Sequence, residues 1–147
     1  MIRLKKILLV EDNPNDIELT LEALDEQNLA NRVIVMNDGV EAMEYLQYKG
    51  KYKDREKENP AVILLDIKMP RMDGIEVLEA IKSSTELKMV PVVILTSSRE
   101  EPDLKKCYDL GVNAYVVKPV NFKDFYDSVK KLGVFWAMIN ELPLDAG

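Results

Sequence analysis

Five short apolar runs, each followed by a helix-length segment, constrain the fold of this chain more than any other feature. The third run, Ala61-Val-Ile-Leu-Leu-Asp66, has five consecutive apolar residues and ends in a carboxylate. An uninterrupted apolar run of this length indicates a strand that is buried on both faces of a sheet. The predicted strands are Lys6–Val10, Arg32–Met36, Ala61–Asp66, Val90–Leu95 and Asn113–Val117.

The segments between the runs carry helix signals. Asn13 predicts an N-cap, with Pro14 at the first helical position and Asp16 in the first turn. Asp38-Gly-Val-Glu41 matches the capping-box pattern at the start of a second helix. The remaining helices are predicted over Gly74–Thr85, where the entry needs a flexible Gly, over about Glu100–Leu110 with a stop at Gly111, and from a cap at Asn121 through Phe125, Val129 and Leu132.

Strands that alternate with helices predict a parallel sheet covered on both faces. Because crossovers between parallel strands are nearly always right-handed, the expected fold class is α/β, a doubly wound (βα)5 three-layer sandwich. The 147 residues suit one domain. We interpret residues 1–147 as a single domain with a core over about 5–132 and a C-terminal helix extension over about 133–147. The charged segment Lys49–Glu58 is interpreted as a solvated connection rather than a docking loop.

Composition excludes several classes of function. The net charge of −6 argues against a nucleic-acid or anionic-membrane surface, since phosphates would be repelled. The absence of His removes the usual general base and the commonest transition-metal ligand. No apolar run approaches the roughly 18 residues of a membrane span. The lone Cys107 cannot form an internal disulfide and is interpreted as a small buried hydrophobe, so a cytoplasmic location is expected.

Polar side chains follow four of the five predicted strands. Glu11 and Asp12 follow the first strand, and Asp66 ends the third. Thr96 follows the fourth strand and Lys118 the fifth. In a strand order such as 2-1-3-4-5 these four strands are neighbours, so their side chains would converge above one edge of the sheet.

The second strand contributes only Asn37-Asp-Gly39, which we interpret as an ordinary turn. The charges at the other four strand ends favour a metal ion. Two carboxylates about 4 Å apart repel by roughly 4 kcal/mol at an effective dielectric of 20, so three together need compensation. Mg²⁺ suits carboxylates combined with phosphate oxygens and water, and Mn²⁺ or Ca²⁺ would be expected to substitute for it. A carboxylate nucleophile, a metal, a hydroxyl and an ammonium make an aspartyl-phosphate site.

Each of these residues taken alone has a simpler interpretation. Asp12 would be a helix cap, Thr96 a turn hydroxyl and Lys118 a solvated surface lysine. The joint arrangement on four strand ends favours a site over three separate explanations.

The chain resembles the receiver domains of two-component response regulators from about Lys5 to Leu132. Glu11-Asp12 resembles the acidic pair of that family, and Asp66-Ile-Lys-Met-Pro-Arg-Met-Asp-Gly74 resembles its phosphoacceptor loop. Lys118-Pro119 resembles its lysine and proline.

The spacing of the remaining motif residues is typical of the same family. Thr96 lies 30 residues beyond Asp66, and Lys118 lies a further 22 residues on. Tyr115 falls where the family has its switch aromatic. The resemblance implies the flavodoxin-like receiver fold with strand order 2-1-3-4-5.

The resemblance also implies what the acidic residues do. Asp66 would accept a phosphoryl group from the phosphohistidine of a histidine kinase. Asp12 and Asp66 would hold Mg²⁺ together with the main-chain carbonyl of Lys68, and Glu11 would act directly or through water.

A conformational switch is implied by the same family. Lys118 would pair with the phosphoryl group, and Thr96 would move toward it and donate to one of its oxygens. Tyr115 would then turn inward and change the face formed by the fourth helix, fifth strand and fifth helix. The peptide between Lys118 and Pro119 would be cis.

The sequence departs from the common receiver pattern in three places, and these departures indicate a subfamily. Glu11 stands where many receivers have Asp, and Lys49–Glu58 lengthens the spacing between the acidic pair and Asp66. The chain ends soon after the fifth helix, so no output domain is expected. The long loop and the tail resemble single-domain receivers that accompany bacterial phytochrome kinases. The resemblance therefore implies two partners. One is a histidine kinase, here of the phytochrome type, and the other is a downstream phosphotransfer or effector protein.

Two enzyme or carrier classes fit the sequence less well. A haloacid-dehalogenase-type phosphatase needs an acid at the position of Lys68. A flavodoxin-like carrier needs a phosphate-binding loop where Glu11-Asp-Asn-Pro14 would repel phosphate. We therefore expect a signalling domain rather than a dedicated enzyme. The remaining alternative is a non-phosphorylated interaction module on the same fold.

The tail predicts self-association. Phe135, Trp136 and Ile139 are helically spaced, so they would either cap the core or be buried in a second subunit. A homodimer through this region is expected.

Overall fold

A parallel sheet of five strands is the centre of the computed structural model, which describes residues 5–112 and 114–132. The strands are β1 (Ile7–Val10), β2 (Val33–Met36), β3 (Val62–Asp66), β4 (Val92–Thr96) and β5 (Ala114–Val117). Their order across the sheet is β2-β1-β3-β4-β5, and every neighbouring pair is parallel. The predicted fold class and strand order are confirmed.

Helices cover both faces of the sheet. They are α1 (Pro14–Asp25), α2 (Gly39–Leu46), α3 (Gly74–Lys82), α4 (Pro102–Asp109) and α5 (Phe122–Leu132). Apolar side chains of α2, α3 and α4 form one core cluster with the sheet, and those of α1 and α5 form another with the opposite face. Every residue of β1, β3 and β4 is buried, which explains why their sequences are continuous apolar runs rather than alternating ones.

Some element boundaries differ from the predicted ones. Arg32 ends a short 3-10 turn instead of starting β2, and α3 ends at Lys82 before Thr85. The fourth helix begins at Pro102, because Glu101 is its N-cap and accepts a hydrogen bond from the Asp103 N–H. At this first helical position the missing N–H of Pro costs nothing. Pro91 lies just before β4, and its carbonyl accepts a hydrogen bond from the Ile63 N–H at 2.9 Å.

Gly74 is required at the start of α3 for a different reason from the one expected. The sequence predicts a helix entry that needs the flexibility of Gly. A Cβ at this position would instead lie 2.2 Å from the Asp66 carbonyl oxygen and 2.8 Å from the Ile67 Cα. The residue is therefore small because the end of β3 passes directly against it.

The capping box lies at α3 and not at α2. Asp38 accepts from the Glu41 N–H at 2.9 Å, but the Glu41 carboxylate reaches the Asn37 N–H and the Tyr52 hydroxyl instead of closing the box. At α3, Asp73 and Glu76 make both reciprocal bonds, each at 3.0 Å.

The charged segment Lys49–Glu58 is largely exposed, as expected of a solvated connection, and Arg55 holds it in place. The Arg55 guanidinium lies 3.8 Å from the ring centroid of Tyr45 and 4.1 Å from that of Tyr48. Its Nε also donates to the Tyr45 carbonyl at 2.7 Å. These cation–π and hydrogen-bond contacts pin the segment against the end of α2.

Cys107 is fully buried in α4, and burial raises the pKa of its thiol to about 11, so its interpretation as a small hydrophobe is confirmed. The predicted extension over about 133–147, with Phe135, Trp136 and Ile139, lies outside the described residues. Among the helices that the structure describes, none is long and apolar enough to cross a membrane.

Candidate functional site

The carboxyl ends of four strands bring polar side chains into one cavity of about 190 Å³. Asp66 and Thr96 are the last residues of β3 and β4, whereas Glu11, Asp12 and Lys118 directly follow β1 and β5. Because neighbouring parallel strands end at the same edge, residues far apart in sequence meet there. The sequence-predicted residues that line the cavity are Glu11, Asp12, Asp66, Lys68, Thr96 and Lys118.

Three carboxylates form a compact group in this cavity. One oxygen from each of Glu11, Asp12 and Asp66 lies within 4.8 Å of the others. Glu11 is fully buried and Asp66 is 5% exposed, whereas Asp12 is open to solvent. The cap of α1 is Asn13, whose side-chain oxygen accepts from the Asn15 and Asp16 N–H groups, so the simpler interpretation of Asp12 as that cap is wrong.

Lys118 places its ammonium among carboxylates. Its Nζ lies 3.1 Å from Asp66 Oδ1, 3.3 Å from Glu11 Oε1 and 3.0 Å from Asp16 Oδ2. The side chain is only 15% exposed. It is therefore not a solvated surface lysine. The peptide between Lys118 and Pro119 is cis, as the resemblance implied.

Burial dominates the electrostatics of the acidic group. Desolvation raises the pKa of Glu11 to about 7, with a further contribution from the negative charge of Asp66. Desolvation also raises the pKa of Asp66, although the ammonium of Lys118 opposes the increase. For Lys118, burial disfavours the charge, but the hydrogen bond to Asp16 and the charges of Asp66 and Glu11 raise its pKa.

The donor set fits a hard divalent cation. Carboxylate oxygens are the ligands that Mg²⁺, Mn²⁺ and Ca²⁺ prefer, and the three acids here carry more negative charge than one ammonium can offset. With no His and a buried Cys107, the described part of the chain offers no comparable soft-metal set at this edge.

Thr96 reaches the cavity, but its hydroxyl is engaged elsewhere. It donates to the Ser98 carbonyl at 2.9 Å and lies 3.3 Å from the Ser98 N–H. The turn-hydroxyl interpretation therefore describes this structure, in which Thr96 is 2% exposed at the end of β4. A phosphoryl group on Asp66 would have to compete with Ser98 for that hydroxyl.

Lys68 lines the cavity with its side chain directed to α4. Its Nζ lies 3.2 Å from Asp103 and 3.9 Å from Glu101, and the side chain is 71% exposed. The ammonium of Lys68 thus pairs with carboxylates at the start of α4 and not with the three carboxylates of the cavity.

Tyr115 lies apart from this cavity, on β5. Its ring packs edge-to-face against Tyr108 with centroids 6.2 Å apart, and it is half-buried. Both tyrosines line a second cavity of about 400 Å³ between β5, α4 and α5, together with Arg99 and Asp124. Tyr115 therefore lies on the α4–β5–α5 face and not beside Asp66.

Two further carboxylates that line the cavity, those of Asp16 and Glu101, are not predicted as site residues from the sequence. The sequence pattern explains Asp16 only by the helix dipole of α1, and Glu101 is the N-cap of α4. Each lies in the cap or first turn of a helix that follows a cavity-lining strand end, where a carboxylate already has a sufficient local explanation.

The turn after β2 holds the loop that follows Asp66, which corrects its interpretation as an ordinary turn. Arg71 donates from Nε at 3.0 Å and from Nη2 at 2.7 Å to one oxygen of Asp38. A Cβ on Gly39 would lie 2.2 Å from the Met72 carbonyl oxygen, so the two backbones touch. The second strand therefore supports the site without supplying a reactive group.

Comparison with known proteins gives a consistent result. Residues 7–130 match the family model of the response regulator receiver domain. The response regulator Rcp1 of Synechocystis sp. is 41% identical over 139 residues, which are 95% of this chain and 93% of Rcp1.

Solved structures agree with the sequence match. The bacteriophytochrome response regulator AtBRR is 56% identical, with a TM-score of 0.86, over 95% of this chain and 99% of that one. The phosphorylated cyanobacterial phytochrome response regulator RcpA is 44% identical, with a TM-score of 0.74, over 91% and 94%. The Mn²⁺-bound form of Rcp1 is 41% identical, with a TM-score of 0.72, over 92% and 96%. This chain belongs to the response regulator receiver domain family, the phosphoacceptor modules of two-component signalling.

Proposed function

We propose that Asp66 is the phosphoacceptor and that it receives the phosphoryl group of a histidine kinase in a Mg²⁺-dependent transfer. The observation that carries this proposal is the position of Asp66, buried at the end of β3 between two other carboxylates and the ammonium of Lys118. A carboxylate in this setting can act as a nucleophile whose product gains a charged clamp.

Glu11, Asp12 and Asp66 would hold the cation, with the main-chain carbonyl of Lys68 as a further oxygen ligand. When bound, Mg²⁺ would offset the carboxylate repulsion and the negative charge of the phosphoryl oxygens. Lys118 already contacts Asp66 and would follow the charge onto the phosphoryl group. Glu11 would be deprotonated when it coordinates the cation. The positive charge of the cation would then offset the cost of burying the negative charge of Glu11.

The signal would leave through Thr96 and Tyr115. A phosphoryl oxygen that draws the Thr96 hydroxyl from Ser98 would shift the start of the β4–α4 connection. Tyr115 packs against Tyr108 of α4, so this shift would alter the α4–β5–α5 face.

The partners follow from the relatives. AtBRR and RcpA are phytochrome response regulators, and a phytochrome-type kinase is accordingly proposed as the donor to this chain. The phosphoryl group would be transferred to a downstream phosphotransfer protein, or an effector protein would bind the altered α4–β5–α5 face. We propose a homodimer and a cytoplasmic location, with a signalling role rather than that of a dedicated enzyme.

Phosphorylation with a small phosphodonor tests the proposal directly. With Mg²⁺ and phosphoramidate, intact mass should increase by one phosphoryl group that hydroxylamine removes. Asp66→Asn should abolish the addition, whereas Asp109→Asn, an exposed acid on α4, should leave it unchanged. Labelling of the Asp66→Asn variant would place the site elsewhere, and an unmodified wild type would favour the interaction-module alternative.

A further inference from the structure

Asp16 makes a contact that no motif of the site explains. It lies in the first turn of α1, outside the group of three carboxylates that fits a cation. Its Oδ2 nevertheless lies 3.0 Å from Lys118 Nζ, a shorter distance than those to Asp66 and Glu11. The two residues are 102 positions apart in sequence, so the contact is created by the fold.

The ammonium of Lys118 has three N–H donors, and the structure gives it three carboxylate acceptors. Two of these, Glu11 and Asp66, also belong to the cation-binding group. A divalent cation on that group would take up their negative charge and repel the ammonium. Asp16 alone would then remain as a full anionic partner for Lys118.

Burial makes that partner important. The Lys118 side chain is 15% exposed and that of Asp16 is 23% exposed, so water replaces a lost ion pair poorly. One N–H fixed on Asp16 leaves two that can point toward Asp66 and toward oxygens attached to it.

We propose that Asp16 is a positioning residue that holds the ammonium of Lys118 beside Asp66 when a divalent cation occupies the three-carboxylate group. It acts through Lys118 and does not itself ligate the cation. The proposal rests on the proposed function for its effect on phosphotransfer, but its effect on cation affinity is independent of phosphorylation.

A double-mutant cycle on Mn²⁺ affinity tests this inference. In Asp16→Asn, the ammonium is left to Glu11 and Asp66, where it competes with the cation, so Mn²⁺ binding measured by calorimetry should weaken about fivefold. In the Lys118→Met background the same substitution should change the affinity by less than about twofold. Glu18→Gln, an exposed acid on the same helix, is the matched control and should have no effect.

Phosphorylation gives the second readout. Asp16→Asn should slow modification by phosphoramidate about fivefold at saturating Mg²⁺, because the clamp is less well oriented. Thermal unfolding of each variant checks that it is folded, and Asp16→Glu should recover part of the wild-type rate. An equal loss of Mn²⁺ affinity with and without Lys118, as a general field effect would give, overturns the proposal, and so does an unchanged affinity in Asp16→Asn. Coupling between Asp16 and Lys118 in a wild type that accepts no phosphoryl group would uphold the positioning role and refute the phosphoacceptor assignment.

Discussion

The buried charge of Glu11 should lower the free energy of unfolding of the metal-free protein, and this effect can be measured directly. Its side chain is fully buried, and burial followed by the charge of Asp66 raises its pKa from 4.5 to about 7. A carboxyl whose folded-state pKa lies above its unfolded value stabilises the fold fully below the unfolded pKa and loses that contribution as the pH rises. Metal-free protein should therefore lose stability between pH 4.5 and about pH 7.

The size of the effect follows from the two pKa values. At 1.36 kcal/mol for each pH unit between 4.5 and about 7, the buried charge costs about 3 kcal/mol at pH 8. Glu11→Gln keeps the shape and an acceptor oxygen for the Lys118 ammonium but removes the charge. The variant should therefore be more stable than wild type by about 3 kcal/mol at pH 8 and by less than about 1 kcal/mol at pH 5.

Urea denaturation in the presence of a chelator measures this difference. The free energy of unfolding should be compared at pH 5, 6.5 and 8, with Glu18→Gln on the exposed side of α1 as control. Adding Mg²⁺ should stabilise the wild type at pH 8 and should stabilise Glu11→Gln much less, since one ligand is lost. Equal stabilities of the two metal-free proteins at pH 8 would refute the idea that Glu11 is a costly buried charge.

Two further predictions concern the surroundings of the site. Gly74→Ala places a Cβ 2.2 Å from the Asp66 carbonyl oxygen, so it should lower the free energy of unfolding by about 1–3 kcal/mol and slow phosphorylation; an unchanged urea midpoint would contradict the close approach. Cys107 is buried with a thiol pKa of about 11, so its alkylation by iodoacetamide at pH 8 should be about a hundredfold slower in the native protein than in urea, and comparable rates would show that α4 opens readily.

The sheet could be predicted because its signal is local and repeated. Each central strand is buried on both faces, and burial of this kind leaves an uninterrupted apolar run that none of the five described helices, α1 to α5, contains. The convergence of Glu11, Asp66 and Lys118 then followed from a rule about where parallel strands end.

Asp16 could not be assigned in the same way, because a carboxylate in the first turn of a helix already has a sufficient local explanation in the helix dipole. Its contact with Lys118 depends on how far α1 leans over the sheet edge, which sequence patterns do not encode. The contacts of Arg55 in the charged segment could not be predicted for a related reason. The count of charges on Lys49–Glu58 predicted solvation, but Arg55 lies against Tyr45 and Tyr48, whose positions are set by the end of α2.

The turn after β2 shows how a strand without chemistry can still determine a site. Arg71 has a φ of +66°, a left-handed conformation that costs a residue other than glycine roughly 1–2 kcal/mol. Its two hydrogen bonds to Asp38 offset this cost, and Asp38 is itself held because it caps α2. The missing Cβ of Gly39 lets the two loops touch, so the segment that carries Lys68 is tied to an element outside the cavity. The reactive residues lie at the ends of β1, β3, β4 and β5, but the shape of the loop after Asp66 depends on the turn that follows β2.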